Sequence, residues 1–97
     1  MGANIVTNTA GTYTVLSTDH TIIQTTAAST YTLPAAASFT RRMLIIVTQF
    51  AGAVTSASSN VVPIAGGAAG TAILPATAGK SAMLQSDGTN WIIISSN

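Results

Sequence analysis

The segment Met83–Ile94, with the sequence MLQSDGTNWIII, decides the fold class of this chain. It indicates two β-strands joined by a turn at Asp87-Gly88, because Asp-Gly supplies the positive φ that tight hairpin turns require. The strand after the turn, Trp91–Ile94, is apolar at every position, so both of its faces are apolar. A strand of this kind must be covered on both faces. We expect the second cover to come from another copy of the chain.

Strand signals recur at short spacing through the rest of the sequence, whereas helix signals are nearly absent. The strongest internal strand is Arg42–Phe50, which is largely apolar on both faces and is therefore expected in the centre of a sheet. The only stretch that suits a helix is Pro34–Ser38, one turn long. The pattern predicts an all-β fold, a small antiparallel β-sandwich or barrel-like domain. Further strands are expected at 12–16, 20–26, 30–33, 61–64, 71–74, 80–86 and 90–95, with a short one from Val54.

The chain has 97 residues, enough for one domain. We expect an N-terminal arm at residues 1–11 and a single β-domain at residues 12–97, and we find no repeat with a period of 20–50 residues. There is no cysteine, so disulfides cannot reinforce the fold. Oligomerisation is the usual alternative for a domain of this size.

Charge is scarce: 5% of the residues are charged, against about 25% in ordinary domains. A net charge of +1 gives no electrostatic basis for binding nucleic acid or an anionic membrane. The N-terminus lacks the basic start and apolar core of a signal peptide, and the longest apolar run, Met43–Val47, is too short to span a bilayer. We therefore expect neither nucleic acid nor membrane as a partner.

Catalytic chemistry has few candidate residues. The carboxylates are Asp19 and Asp87, and the single histidine is His20. Asp19 and His20 are neighbours on a predicted strand, where adjacent side chains point to opposite faces. The run Gly66–Gly70 lacks the Lys-Ser/Thr and the helix of a phosphate-binding loop. We expect no enzyme activity, no cofactor and no metal; a cluster of His20 side chains around a threefold axis is the one metal hypothesis.

The aromatic and basic residues allow two interpretations each. Trp91 could stack on a sugar ring, but its apolar neighbours favour a core or subunit-interface position. Arg41 and Arg42 could contact carboxylates of a partner, or simply lie exposed at a strand entrance. The predicted core and subunit-interface residues are Ile45, Val47, Leu84, Trp91, Ile92, Ile93 and Ile94.

Three segments together resemble a known class of protein. Thr32–Ala36, Arg42–Val47 and Ser86–Trp91 (SDGTNW) are similar in order and character to small β-domains of tailed-bacteriophage virion proteins. Such domains occur in tail fibres and spikes and in capsid decoration or head-fibre proteins, and they are typically homotrimeric. The resemblance extends over about Thr12–Ile94 and implies an intertwined homotrimer. The chain departs from that class in its fewer charged residues and its Ala- and Gly-rich middle.

The resemblance implies a structural virion protein. The first expectation is a homotrimeric capsid decoration, or cement, protein that binds the phage head surface, contacts the major capsid protein and stabilises the coat lattice. It would be assembled in the host cytoplasm and located on the virion. The alternative is a tail-fibre or spike module that recognises a host surface glycan. The residues expected to contact the capsid are Asn4, Ile5, Val6, Arg41 and Arg42, and the arm is expected to be ordered by contact with the capsid or with a neighbouring subunit.

Overall fold

The computed structural model describes residues 4–97 and shows an all-β fold with one short 3₁₀ turn at Ala36–Ser38. In chain order the strands are β1 Asn4–Asn8, β2 Thr12–Thr14, β3 Asp19–Gln24, β4 Ser29–Thr32, β5 Met43–Thr48, β6 Val54–Ser56, β7 Val61–Val62, β8 Ala72–Leu74, β9 Ser81–Ser86 and β10 Trp91–Ser96.

The strands form two sheets. One has six strands in the order β1-β3-β5-β9-β10-β7, and the other has four in the order β2-β4-β6-β8. The predicted antiparallel pairing is correct only in part, because β1, β3 and β5 run parallel, as do β2, β4 and β6. Antiparallel pairing is found for β5 with β9, β9 with β10, and β6 with β8. Both sheets are therefore mixed.

The parallel order arises because the chain winds as a flattened coil. It passes from the six-stranded sheet to the four-stranded sheet between β1 and β2, and does so again between β3 and β4 and between β5 and β6. Each turn of the coil stacks on the turn before it. Strands from successive turns therefore lie side by side in each sheet and run in the same direction. The antiparallel pairs β5–β9, β9–β10 and β6–β8 extend the two sheets beyond this coil, and β7 completes the six-stranded sheet by pairing parallel to β10.

The core lies between the sheets, and the alternation of each strand sends every second side chain into it. From the six-stranded sheet, Ile22, Leu44 and Leu84 are fully buried. From the four-stranded sheet, Tyr31 and Val54 meet them. Trp91 is fully buried in the same layer and donates its indole N–H to the Pro34 carbonyl at 2.9 Å. The indole thereby ties the last strand to the segment that precedes β5.

The predicted hairpin is confirmed, with β9 and β10 joined by the four residues 87–90. Gly88 has a φ of +94°, as the turn prediction required. The Asp87 Oδ1 atom accepts hydrogen bonds from the backbone N–H groups of Thr89 and Asn90 at 2.9 and 2.8 Å. The Asp87 side chain thus replaces ladder bonds that the loop cannot make.

The central position predicted for the segment 42–50 is also confirmed, since β5 lies between β3 and β9. Of the predicted arm, residues 4–8 form β1, which pairs with β3 at one edge of the six-stranded sheet. This part of the segment is thus an edge strand of the domain. Residues 1–3 of the predicted arm lie outside the described residues.

Candidate functional site

The outer face of the six-stranded sheet is an apolar surface that the two sheets leave uncovered. Its side chains alternate with the buried ones and point away from the four-stranded sheet. Most are half-buried by their neighbours, while Ile5 and Ile94 are 68% and 43% exposed. We call this surface the apolar face; it consists of Ile5, Ile23, Met43, Ile45, Val47, Val62, Met83, Ile92 and Ile94.

Strand register places these side chains side by side across the sheet. Ile45 of β5 lies opposite Met83 of β9, and Val47 of β5 lies opposite Ile23 of β3. Ile92 of β10 lies opposite Val62 of β7. Neighbouring strands lie about 4.8 Å apart, so these opposed apolar side chains are in contact, whereas at the β1–β3 and β9–β10 junctions Ile5 lies opposite Thr21 and Met83 opposite Ser95.

The apolar face carries no charged side chain. The polar residues interspersed in it are uncharged: Thr7, Thr21, Ser81 and Gln85. The five charged side chains of the chain lie instead at or beyond strand ends, where Asp19 begins β3, Lys80 precedes β9 and Asp87 follows it. Arg41 and Arg42 precede β5. A partner could therefore cover this face without desolvating an ion, which is the largest cost of burying polar surface.

The opposite outer face, on the four-stranded sheet, has a different character. Strand register stacks Thr12, Thr30 and Thr55 in one row across β2, β4 and β6, and Thr14 beside Thr32 in a second row. Four of these five threonines are exposed. This face is a regular array of hydroxyl and methyl groups, so it is well hydrated, and the two outer faces differ in polarity.

The predicted core and interface residues divide between the two faces of one sheet. Leu84, Trp91 and Ile93 point inward and are buried in the core. Ile45, Val47 and Ile92 point outward and lie on the apolar face, and the exposed Ile94 lies at its border, in the β-bulge between the pairs Ile93–Leu84 and Ser95–Met83. Sequence reasoning missed the other members of that face, Ile23, Met43, Val62 and Met83, although each alternates with a buried neighbour.

The residues expected to contact a capsid also fall into separate places. Ile5 is exposed on β1, whereas Val6 is half-buried and lies beside the buried Ile22. Arg41 is exposed and has a φ of +72°. Arg42 is half-buried, with one guanidinium nitrogen donating to the Leu16 carbonyl at 2.6 Å and to the Asp19 carbonyl. The side chain of Asn4 lies outside the described part of the structure.

Asp19 is the buried carboxylate of the molecule and organises the corner next to Arg42. It is 4% exposed, and its Oδ2 accepts hydrogen bonds from the Tyr13 hydroxyl at 2.5 Å and from the Leu16 N–H at 2.8 Å. Burial, together with the hydrogen bond and charge of Asp19, raises the pKa of Tyr13 to about 12. Burial lowers the pKa of Arg42, a trend that the negative charge of Asp19 opposes.

A second buried polar cluster lies at the opposite ends of the strands and centres on Gln24. The Gln24 Oε1 atom accepts from Asn8 Nδ2 and from the Tyr31 hydroxyl, both at 2.8 Å. Its Nε2 donates to the carbonyls of Ala10, Thr26 and Ala27. Burial raises the pKa of Tyr31. These bonds satisfy the polar groups at the corner where the chain leaves β1 and β3.

The residues considered for chemistry are not brought together. His20 is half-buried, and its Nδ1 lies 3.0 Å from Thr21 Oγ1. Asp87 is exposed, and hydrogen bonds from the backbone of Asn90 and Thr89 lower its pKa. Between residues 4 and 97 we find no group of three potential metal ligands and no pocket. No helix in that range is long and apolar enough to cross a membrane.

Comparison with known proteins gave no match to a family model, to a curated protein or to a solved structure. The apolar face is therefore the feature that carries the functional proposal.

Proposed function

We propose that this chain is a structural virion protein of a tailed bacteriophage, a homotrimeric decoration protein that binds the head surface and stabilises the coat lattice. The observation that carries the proposal is the uncharged apolar face, which lies on the outside of an otherwise well-packed domain. The resemblance of the segments around Leu33, Ile45 and Trp91 to virion β-domains supplies the biological setting.

The size of the apolar face supports a role in assembly. Six strands about 4.8 Å apart, five of them five or six residues long, give a sheet face of roughly 500 Å², apolar and polar side chains together. The largest apolar patch of a monomer is about 300–600 Å² and is often functional. Burying this face stabilises a complex by about 25 cal/mol for each Å² of apolar surface removed from water.

Trimerisation through the apolar face gives the most direct test. Ile45 is half-buried at the centre of the face, so Ile45→Lys places a charge where protomers would meet. We expect the mass measured by light scattering to fall to one third in this variant. The matched control is Thr32→Lys, which adds the same charge on the exposed threonine rows and should leave the mass unchanged. A wild-type protein that stays monomeric at high concentration would contradict the trimer.

The virion role requires a separate measurement. Immunogold labelling or cryo-electron microscopy of the phage particle should place the protein on the head surface. Because a protein that binds only the assembled lattice stabilises it by mass action, heads carrying the protein should disassemble at higher temperature than heads without it. Particles that carry no label would contradict the proposal, and label confined to the tail would support the fibre alternative.

The glycan-binding alternative relied on Trp91 as the residue that stacks on a sugar ring. Trp91 is fully buried and its N–H is bonded to Pro34, so the indole cannot stack on a sugar in this fold. Tyr31 is fully buried as well, while Tyr13, Phe39 and Phe50 are half-buried. Within the described residues no aromatic side chain is fully available to a ligand. A glycan site on this chain would have to use hydroxyl and amide groups.

A further inference from the structure

The two sheets end together at one side of the molecule, where β1 and β2 are both edge strands. Edge strands present unpaired N–H and C=O groups, and proteins normally protect them with charge, proline or very short strands. The far end is protected in this way, since β7 has two residues and is followed by Pro63, and β8 is followed by Pro75. The sequences of β1 (NIVTN) and β2 (TYT) contain neither charge nor proline; β2, with three residues, is as short as β8, whereas β1 has five.

Within residues 4–97, the backbone groups of β1 that are not bonded inside the sheet can be identified from the bonds that β1 makes with β3. The Asn8 carbonyl accepts from the Thr25 N–H at 3.1 Å, so Asn8 and, by alternation, Val6 direct their backbone groups toward β3. The backbone groups of Ile5 and Thr7 therefore point outward, away from the sheet.

The same reasoning applies to β2. The Gly11 carbonyl accepts from the Thr30 N–H, and the Val15 N–H donates to the Thr32 carbonyl, both at 3.0 Å. Gly11, Tyr13 and Val15 thus direct their backbone groups toward β4. The backbone groups of Thr12 and Thr14 point outward.

Both edges are self-complementary. Read backwards, NIVTN becomes NTVIN and TYT is unchanged. An antiparallel pair of β1 strands centred on Val6 places Ile5 opposite Thr7 of the second copy, so the residues with free backbone groups face each other. Each such pair exchanges two hydrogen bonds, which gives about four between the two β1 strands. The β2 strands centred on Tyr13 can pair by the same rule.

We propose that this end of the molecule binds a second copy of the chain head to head, through antiparallel pairing of β1 with β1 and of β2 with β2. A two-fold rotation about an axis perpendicular to the sheets reverses both strands and brings both edges into contact at once. A single extended peptide could pair with only one of the two edges, which is the reason for assigning a second copy as the partner. Such an interface is isologous and closed, and the far end is too well protected to extend it into a fibre.

This interface uses backbone groups at the β1 and β2 edges and shares with the apolar face only Ile5, whose side chain lies on that face, so it goes beyond the proposed function and does not depend on it. If both interfaces exist, the assembly is a hexamer. Two trimers, each joined through the apolar faces, then pair through their β1–β2 ends. Loss of the end interface halves the mass, whereas loss of the face divides it by three. The two interfaces can therefore fail independently, and the measured mass shows which one has failed.

The first experiment removes one outward N–H from each edge. Thr7→Pro combined with Thr14→Pro deletes two free donors without removing a bond inside either sheet, and proline is tolerated at such edge positions. We expect the mass from light scattering to fall to one half, while the matched control, Thr7→Ala with Thr14→Ala, keeps its N–H groups and the full mass. Equal masses for the two variants at all concentrations would overturn the proposal.

A second experiment does not depend on how well the proline variant folds. The chain has no cysteine, so a single cysteine can be introduced without background reaction. In the proposed register Val6 faces Val6 of the second copy at a non-hydrogen-bonded position, where the Cα separation of about 4.5 Å suits a disulfide. We expect Val6→Cys to form disulfide-linked dimers on mild oxidation. The control is Thr55→Cys, equally half-buried but on β6 in the outer face of the four-stranded sheet, away from both proposed interfaces. Crosslinking of Val6→Cys no faster than of the control would overturn the proposal.

Discussion

At the scale of single residues, Gln24 illustrates how a small all-β domain satisfies a buried corner. Its amide is fully buried and bonds Asn8, Tyr31 and three backbone carbonyls. Replacing Gln24 with leucine leaves the buried Tyr31 hydroxyl without its partner and removes one of the two bonds of the buried Asn8 amide, and each such loss costs about 1–3 kcal/mol. We expect Gln24→Leu to lower the free energy of unfolding by about 3 kcal/mol or more, measured by urea denaturation.

The control for this prediction is the same substitution at an exposed glutamine. Gln49 follows β5 near the same corner, and its side chain is exposed. Surface substitutions of this kind usually change stability by less than about 0.5 kcal/mol. A loss in Gln24→Leu no larger than in Gln49→Leu would show that the cluster does not stabilise the corner.

Tyr13 makes stability depend on pH in the alkaline range. Its pKa rises from 10.0 to about 12 on folding, so the folded state holds the phenolic proton more tightly than the unfolded state. This contribution is fully present below pH 10 and is lost as pH rises toward about 12. We expect the urea midpoint of the wild type to fall over that range by more than the midpoint of Tyr13→Phe. Parallel curves for the two proteins would contradict this prediction.

At the scale of elements, the hairpin turn depends on one backbone conformation. Gly88 has a φ of +94°, and an added Cβ would have space, with Thr40 Oγ1 nearest at 3.5 Å. The cost of Gly88→Ala is therefore backbone strain, about 1–2 kcal/mol. Thermal unfolding should show a lower midpoint for this variant.

Gly70 provides the matched control for the turn. Gly70 itself does not have a positive φ, and an added Cβ there would meet nothing within 4 Å. Gly70→Ala should leave stability unchanged or raise it slightly, because alanine restricts the unfolded chain. If both variants lost stability equally, the turn would not depend on the conformation of Gly88.

The positions of the strands could be predicted from the sequence, but their directions could not. Alternation in Arg42–Phe50 and the turn residues Asp87-Gly88 are local signals, and local signals define where strands begin and end. Parallel partners are distant in the chain: Ile5 lies beside Thr21, and Thr21 beside Ile45. These intervals are unequal, so the coil produces no repeat period in the sequence. In addition, a turn sequence such as Ser17-Thr18-Asp19 does not reveal whether it connects two strands of one hairpin or carries the chain from one sheet to the other.

The candidate surface could be predicted only in part for a related reason. The apolar run Trp91–Ile94 indicated that both faces of one strand are covered, but a single strand does not show which other strands contribute to each face. Ile23 and Val62 join the apolar face only through their register with Val47 and Ile92. That register is a property of the assembled sheet.

At the scale of the whole molecule, the order of strands predicts a gradient of local stability. β5 and β9 are central in the six-stranded sheet, while β7 and β8 are outermost at the far end. Amide hydrogen exchange should therefore be slowest in β5 and β9 and fast in β7 and β8. The outward amides of Ile5 and Thr7 should exchange quickly at low concentration and slowly where the ends pair. Fast exchange in β9 would contradict this description of the fold.

The position of the charges at strand ends has a consequence for the rate at which these molecules meet. Both outer sheet faces lack charged side chains, so neither attracts nor repels an approaching partner over distance. Association without electrostatic steering proceeds at about 10⁵–10⁶ M⁻¹s⁻¹ and changes little with ionic strength. The association rate constant of this protein should therefore be the same in dilute buffer and in concentrated salt, and the half-time of assembly should depend on the protein concentration alone.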